Sequence, residues 1–278
     1  MSRAPLAIAL ATGMAAAGAA ETAPAFPGTA GEYRGYVRHD FSVDQCRCIV
    51  VEPKTALPGR PWIWRAEFFD AFPQIDVALL AKGFHLAYMN VGNTFGCPTA
   101  MAHFDRFYEA MTAQYGLAPK PVLEGLSRGG LYVYAWGSAH PDKVLCILGD
   151  NPVCDFKSWP GGKGKGPGSP GDWRKLIADY GFASEQEALA YDKNPIDNLA
   201  SLAEHKVPLI HLAGDADEVV PYPENTVILR ERYHKLGGPM VVIVKPGQKH
   251  HPHGLEDPTP VVEMILGLLA GKPLPAVP

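Results

Sequence analysis

Three groups of polar side chains sit where they could carry acyl chemistry: a serine between glycines, carboxylates after an apolar strand, and a run of histidines. Gly125-Leu126-Ser127-Arg128-Gly129 follows the apolar stretch Val122-Leu123 and leads into Leu131-Tyr132-Val133-Tyr134-Ala135-Trp136. That order reads as strand, sharp turn and helix, a setting in which a serine hydroxyl stands exposed on a strained turn. Gly125 and Gly129 are expected to remove the side chains that would clash at the neck of the turn. A helix starting just past Ser127 aims free backbone N–H groups at the place where negative charge would develop.

A serine hydroxyl is a weak nucleophile at neutral pH and needs a base, which in turn needs an orienting acid. Downstream, the apolar run Val207 to Leu212 is followed by Ala213-Gly214-Asp215-Ala216-Asp217-Glu218-Val219-Val220-Pro221, whose carboxylates are candidate acids. The next apolar run, Met240 to Val244, leads into Lys245-Pro246-Gly247-Gln248-Lys249-His250-His251-Pro252-His253, which supplies candidate bases. Serine, acid and histidine thus follow the C-terminal ends of core strands in the order that such sites use. The histidine run is not expected to hold a metal, because adjacent histidines should point apart and no acidic cluster is near in sequence. Acyl transfer by serine needs no cofactor, and none is expected.

The elements that must position these groups alternate between strand and helix. Strands are predicted over residues 35–44, 47–52, 61–64, 83–89, 121–124, 144–148, 207–212 and 240–244. Helices are predicted over 68–80, interrupted near Pro73, and over 101–115, 130–140 and 261–269. The alternation gives an α/β chain with a mostly parallel central sheet and helices on both faces. One stretch breaks the rhythm. Residues 155–200 begin Gly/Pro/Lys-rich and then turn helical over 173–180 and 185–191, which reads as a small cap over the sheet's C-terminal edge.

At this point the chain, from Gly35 to Leu269, resembles the α/β-hydrolase superfamily. Gly214-Asp215-Ala216-Asp217-Glu218-Val219-Val220-Pro221 is similar to that family's acid loop, which assigns the acid to Asp217. Gly247-Gln248-Lys249-His250 is similar to its Gly-x-Gly-His loop, with Lys249 in place of the second glycine. The resemblance implies His250 as base, with His251 and His253 as alternatives, and Asp150 as the alternative acid. It implies an oxyanion hole made by the N–H of Arg128 and a second N–H, from Arg65 or Ala66, where the family often has His-Gly.

Charges near the turn suggest further roles. Glu124 ends a strand that should be buried, so it is expected to pair with Arg128 or Arg65 at the pocket floor. Glu67, Glu124, Trp64 and Trp159 are taken as substrate contacts. Ser127-Arg128 is similar to the Gly-Cys-Ser-Arg motif of glucuronoyl esterases, and the segments 64–69 and 155–162 resemble bacterial exported hydrolases linked to polysaccharide breakdown. The expectation is a serine hydrolase that cleaves carboxylic esters on a small-molecule or saccharide substrate. The alternatives are a peptidase of the prolyl-oligopeptidase type, or a binding module that keeps the fold without the chemistry.

Composition bounds the rest. The 278 residues are 47% hydrophobic and 19% charged, with a net charge of −4. That suits one large core and gives no electrostatic reason to expect nucleic acid or an anionic membrane as partner. Residues 1–20 read as a secretory signal peptide, with Arg3 as the positive region, an alanine-rich apolar stretch and Ala17-Gly18-Ala19 as the cleavage site. Residues 21–34 are expected to be a flexible segment before a domain over 35–278, and the product to be secreted or periplasmic. Export permits disulfides, and a bridge from Cys46 or Cys48 to Cys97 is expected, with Cys146 as plain core.

Overall fold

The computed structural model describes residues 24–275, so the expected signal peptide lies outside the described residues. Nine strands form one sheet: β1 (Thr29–Tyr33), β2 (Tyr36–Val43), β3 (Cys46–Glu52), β4 (Trp62–Arg65), β5 (His85–Asn90), β6 (Val122–Leu126), β7 (Cys146–Asp150), β8 (Leu209–Gly214) and β9 (Met240–Lys245). Their spatial order is β1-β2-β3-β5-β4-β6-β7-β8-β9. The pairs from β1 to β5 are antiparallel, and β5 through β9 are all parallel. This is the α/β-hydrolase fold. The stretch expected to be flexible before residue 35 contains β1, which pairs with β2 from Thr29↔Asp40 to Tyr33↔Tyr36.

The helices are α1 (Gln74–Ala81), α2 (Pro98–Glu109), α3 (Gly129–Ala139), α4 (Pro170–Tyr180), α5 (Glu185–Ala190), α6 (Ala200–Glu204), α7 (Thr226–Lys235) and α8 (Thr259–Leu269). Side chains alternate across a strand, so the sheet has two apolar faces. Ile63, Val122, Cys146 and Leu148 face Leu79 and Leu80 of α1 and Val261 and Ile265 of α8. Trp62, Trp64, Leu123 and Ile147 face Phe104 and Phe107 of α2 and Leu131 and Val133 of α3. Trp64 belongs to this second core. It is buried, stacked on Trp62 at 5.5 Å and packed on Phe104 and Trp136, so it is no substrate contact.

Local departures from the sequence reading have local causes. The helix predicted over 68–80 starts only at Gln74, because Phe68, Asp70 and Phe72 take positive φ of 54°, 69° and 50° and break any helix before it. The helix predicted over 101–115 ends as an α-helix at Glu109 and continues as a π-helical turn, Ala110–Gln114. The expected disulfide does not form, and all five thiols are free. Cys48 Sγ instead turns toward the Cys46 carbonyl at 3.4 Å, and Cys97 is the N-cap residue of α2. No helix among the described residues is long and apolar enough to cross a membrane.

Between β7 and β8 run α4, α5 and α6, preceded by a loop over residues 151–169. Phe156 anchors this insertion, with its ring against Trp173, Tyr180, Phe182 and Tyr191.

The strand–helix corner at β6 and α3 is packed to contact. A Cβ at Gly125 would lie 2.6 Å from the Gly129 carbonyl oxygen, and one at Gly130 would lie 2.6 Å from that of Val153. Gly129, expected to be the second essential glycine, has ordinary room, with Glu67 Cβ at 3.6 Å. Gly125→Ala and Gly130→Ala should each cost about 1–3 kcal/mol by overpacking. Gly171→Ala, on α4 with nothing within 4 Å of its added carbon, should change stability by less than about 1 kcal/mol. Urea denaturation of the three variants measures the contrast.

Candidate active site

The C-terminal ends of β6, β8 and β9 deliver the three expected groups to one place. Ser127 follows β6 with φ of 49°, a left-handed conformation that a non-glycine residue adopts at a cost. Its N–H donates to the Asp150 carbonyl at 2.9 Å, and its own carbonyl accepts from Val153 and Gly130 at 2.8 and 3.0 Å. The turn is therefore held by backbone on both sides. Ser127 Oγ lies 3.0 Å from His250 Nε2, and His250 Nδ1 lies 2.6 Å from Asp217 Oδ2. Asp217 is buried, and its other oxygen accepts the N–H groups of Val219 and Val220, both at 2.9 Å. These bonds fix the carboxylate before the imidazole meets it.

Asp150, the alternative acid, does not reach His250. It binds the base loop instead: its carboxylate accepts the N–H of Gly254 and lies 3.3 Å from Lys245 Nζ and from His253 Nδ1. Burial works against its charge, but His253 and Lys245 outweigh burial and hold its pKa below the ordinary aspartate value. Asn151, which the sequence reading passed over, bridges the other two loops. Its Nδ2 donates to the His250 carbonyl at 2.9 Å, and its Oδ1 accepts the N–H of Gly214 at 2.8 Å. The signal for it was the Asn-Pro pair at 151–152, a turn marker placed directly after a core strand.

His251 and His253 do not contact Asp217 but share the site. Contrary to the expectation that neighbouring histidines point apart, the rings of His250, His251 and His253 stand edge to face, 4.9 Å apart in every pairing. Burial and the two neighbouring imidazoles push the pKa of His251 below its ordinary value.

A cavity of about 170 Å³ opens at Ser127. Its walls are Phe68, Ala71, Phe72 and Leu126, with the histidines opposite. Of the expected substrate contacts, none of Glu67, Glu124, Trp64 and Trp159 lines it. Trp159 sits in the insertion against Phe95, ring centres 6.3 Å apart. Glu67 pairs with Arg128 Nε at 2.8 Å, and the Arg128 guanidinium lies 4.6 Å over the Phe68 ring. Burial pushes the Glu67 pKa up, and Arg128 opposes it.

Arg65 and Glu124 pair as one of the two expected combinations, but away from the pocket floor. Both project to the α1 side of the sheet, where Arg65 Nη1 meets Asp76 and lies 3.2 Å from Glu124 Oε2. The remaining donors of Arg65 hold the carbonyls of Glu67 at 3.3 Å, Phe68 at 3.1 Å and Ala71. The cavity wall therefore hangs on this guanidinium. Ala66 is excluded as an oxyanion donor, since its N–H is spent on the Glu124 carbonyl at 3.0 Å. Arg65 lies within the sheet, paired with both Tyr88 and Glu124.

No protein-family model matches the sequence, and no curated protein matches it. Solved structures do share the fold. A puromycin hydrolase superposes with a TM-score of 0.65 at 15% identity, over 87% of this chain and 40% of its own. Dipeptidyl peptidase 4 of Porphyromonas gingivalis gives 0.61 at 13% identity, over 86% and 36%. A bacterial membrane phospholipase A gives 0.54 at 16% identity, over 85% and 86%. The chain thus spans 40% and 36% of the first two structures and 86% of the phospholipase.

The buried charge cluster carries a pH signature. Burial pushes the Glu124 carboxyl well above its ordinary range; Arg65 opposes this and Asp76 reinforces it. Burial also opposes the charge of Arg65, but Asp76 and Glu124 outweigh it and raise its pKa. A raised carboxyl keeps its proton in the folded state after the unfolded chain has lost it. Its stabilising effect is full below about pH 4.3 and declines as pH rises through the folded value. Glu124→Gln, which stays neutral at every pH, should therefore gain stability relative to wild type as pH rises. Arg65→Met, which strands the buried Asp76 carboxylate, should cost about 3–5 kcal/mol near neutrality. Thermal melts across pH check both.

Proposed function

We propose that this chain is a serine hydrolase that cleaves carboxylic acid derivatives through an acyl-enzyme. The observation that carries the reading is the unbroken line of contacts from Ser127 Oγ through His250 to Asp217, at 3.0 and 2.6 Å. Ser127 Oγ would attack the acyl carbon while His250 Nε2 takes its proton. Asp217 would keep the proton on Nδ1 of the neutral ring and stabilise the imidazolium that forms. The N–H of Arg128 and one from Glu67-Phe68 would hold the oxyanion, each such donor contributing about 2.7–4 kcal/mol. His250 would then protonate the leaving group, and a water activated by the same ring would release the acyl group and restore Ser127.

The cavity favours a small apolar group beside the reacting carbon. Its volume of about 170 Å³ is below that of sites for drug-sized ligands, about 300–1,000 Å³, and three of its walls are phenylalanine or leucine. Two leaving groups remain in play. The amide reading draws on the puromycin hydrolase and dipeptidyl peptidase structures. The ester reading, on acyl or uronate esters linked to carbohydrate or similar alcohols, draws on the phospholipase of comparable length. The presence of all three polar groups in mutual contact speaks against a binding module that has lost its chemistry. With the leader-like residues 1–20, we place this activity outside the cytoplasm.

A fluorophosphonate probe should label the wild type and fail on Ser127→Ala. Asp217→Asn should keep the fold and lower kcat by roughly 10³–10⁴-fold, because the wrong tautomer faces the serine. Equal labelling of Ser127→Ala would sink the serine hydrolase. p-Nitrophenyl esters of rising chain length, acetylated sugars and methyl uronates, run beside aminoacyl anilides, decide the leaving group. Turnover confined to the anilides would replace the ester reading with the peptidase one.

A further inference from the structure

The three imidazoles at 250–253 have a geometry that serine chemistry does not require. One ring nitrogen from each of His250, His251 and His253 lies within 4.8 Å of the other two. Two of the rings have a carboxylate behind them, Asp217 at 2.6 Å on His250 and Asp150 at 3.3 Å on His253. A carboxylate behind an imidazole is the arrangement that orients metal-bound histidines and raises their basicity.

The donor set fixes the kind of ligand. Three neutral imidazole nitrogens suit zinc, cobalt, nickel or copper, whereas magnesium and calcium take oxygen ligands. A fourth ligand would be an oxygen, from water or from Ser127 Oγ, which lies 3.0 Å from His250 Nε2. Zinc–nitrogen bonds of about 2.0–2.1 Å place ligand nitrogens roughly 3.4 Å apart, so the rings must draw together by up to about 1.4 Å. His251 can supply that movement, because it is the exposed member and rests flat against Phe72, ring centres 5.9 Å apart.

We propose that His250, His251 and His253 form an inhibitory site for a divalent transition-metal ion. Bound there, the ion occupies the His250 nitrogen that would otherwise take the Ser127 proton, and the nucleophile is left without a base. No bond is made or broken in the chain, and removal of the ion restores the free ring.

The site can be tested apart from any catalytic assay. Ser127→Ala protein is titrated with Co²⁺, followed by its visible d–d absorption, and with Zn²⁺ by calorimetry. The expected result is one ion per chain with a tetrahedral cobalt spectrum, weakened at least about 10-fold by His251→Ala and by His253→Gln. His251 is exposed, so its truncation leaves the core intact; circular dichroism verifies the fold of both variants. In the wild type, micromolar Zn²⁺ should block fluorophosphonate labelling, and EDTA should restore it. Absence of stoichiometric binding, binding equally tight in both histidine variants, or binding that leaves labelling unchanged would each overturn the proposal. A chain that binds the ion as described but hydrolyses none of the substrates would retire the hydrolase reading and keep the site.

Discussion

A positive charge carried to the end of a central strand organises this structure. Arg65 ends β4 and is fully buried, where an unpaired cation would be untenable. Its guanidinium offers five donors in a rigid fork, and the fold uses that fork in two directions. One side meets the carboxylate of Asp76 of α1 and the carboxyl of Glu124 of β6, which ties a helix to the strand beneath the serine. The other side gathers the carbonyls of Glu67, Phe68 and Ala71. The segment so held contains three non-glycine residues at positive φ, a conformation that local sequence alone would not sustain. That segment walls the cavity. A side chain outside the cavity thus sets its shape.

The second constraint is the tip of β7. Asp150 and Asn151 touch all three loops that converge on the site. The Asp150 carbonyl takes the Ser127 N–H, and its carboxylate takes that of Gly254. The Asn151 amide joins the His250 carbonyl to the Gly214 N–H. Every one of these groups is short and polar and is satisfied by backbone, which gives positional precision without long flexible side chains. Serine, acid and base are located by a shared set of hydrogen bonds, not by three separate loops.

The sequence displayed the scaffold more fully than the walls. The core strands from β2 to β9 were legible because most are short apolar runs and β2 alternates, and the order of polar loops after them pointed to Ser127, Asp217 and His250. What escaped reading depends on contacts across the sheet. The alternation Val122-Leu123-Glu124 does not state which face Glu124 takes, so its partner was narrowed to two arginines and its place was wrong. Arg65 and Ala66 were reasonable oxyanion donors by analogy, but ladder pairing with β6 had already used the Ala66 N–H. Trp64 appeared at a strand end and proved to be core, because aromatic residues serve packing and recognition with equal ease. Phe68, Ala71 and Phe72 gave no signal, since their cavity arises from backbone turns that no apolar period encodes. β1 was hidden in a proline- and alanine-rich stretch, and α7 in a segment with little amphipathic contrast.

The position of β9 has a consequence for how the base is held during motion. Among the described residues, β9 pairs only with β8 and forms the rim of the sheet. Rim strands are where sheets open first in local fluctuations. Yet the chain leaving β9 is pinned a few residues later to β7, two strands inward, through Asn151 and Asp150. Breathing of the outer strand therefore need not swing the imidazole. The ring keeps time with the sheet's interior, and β9 can fray while the distance from residue 250 to residue 127 is preserved.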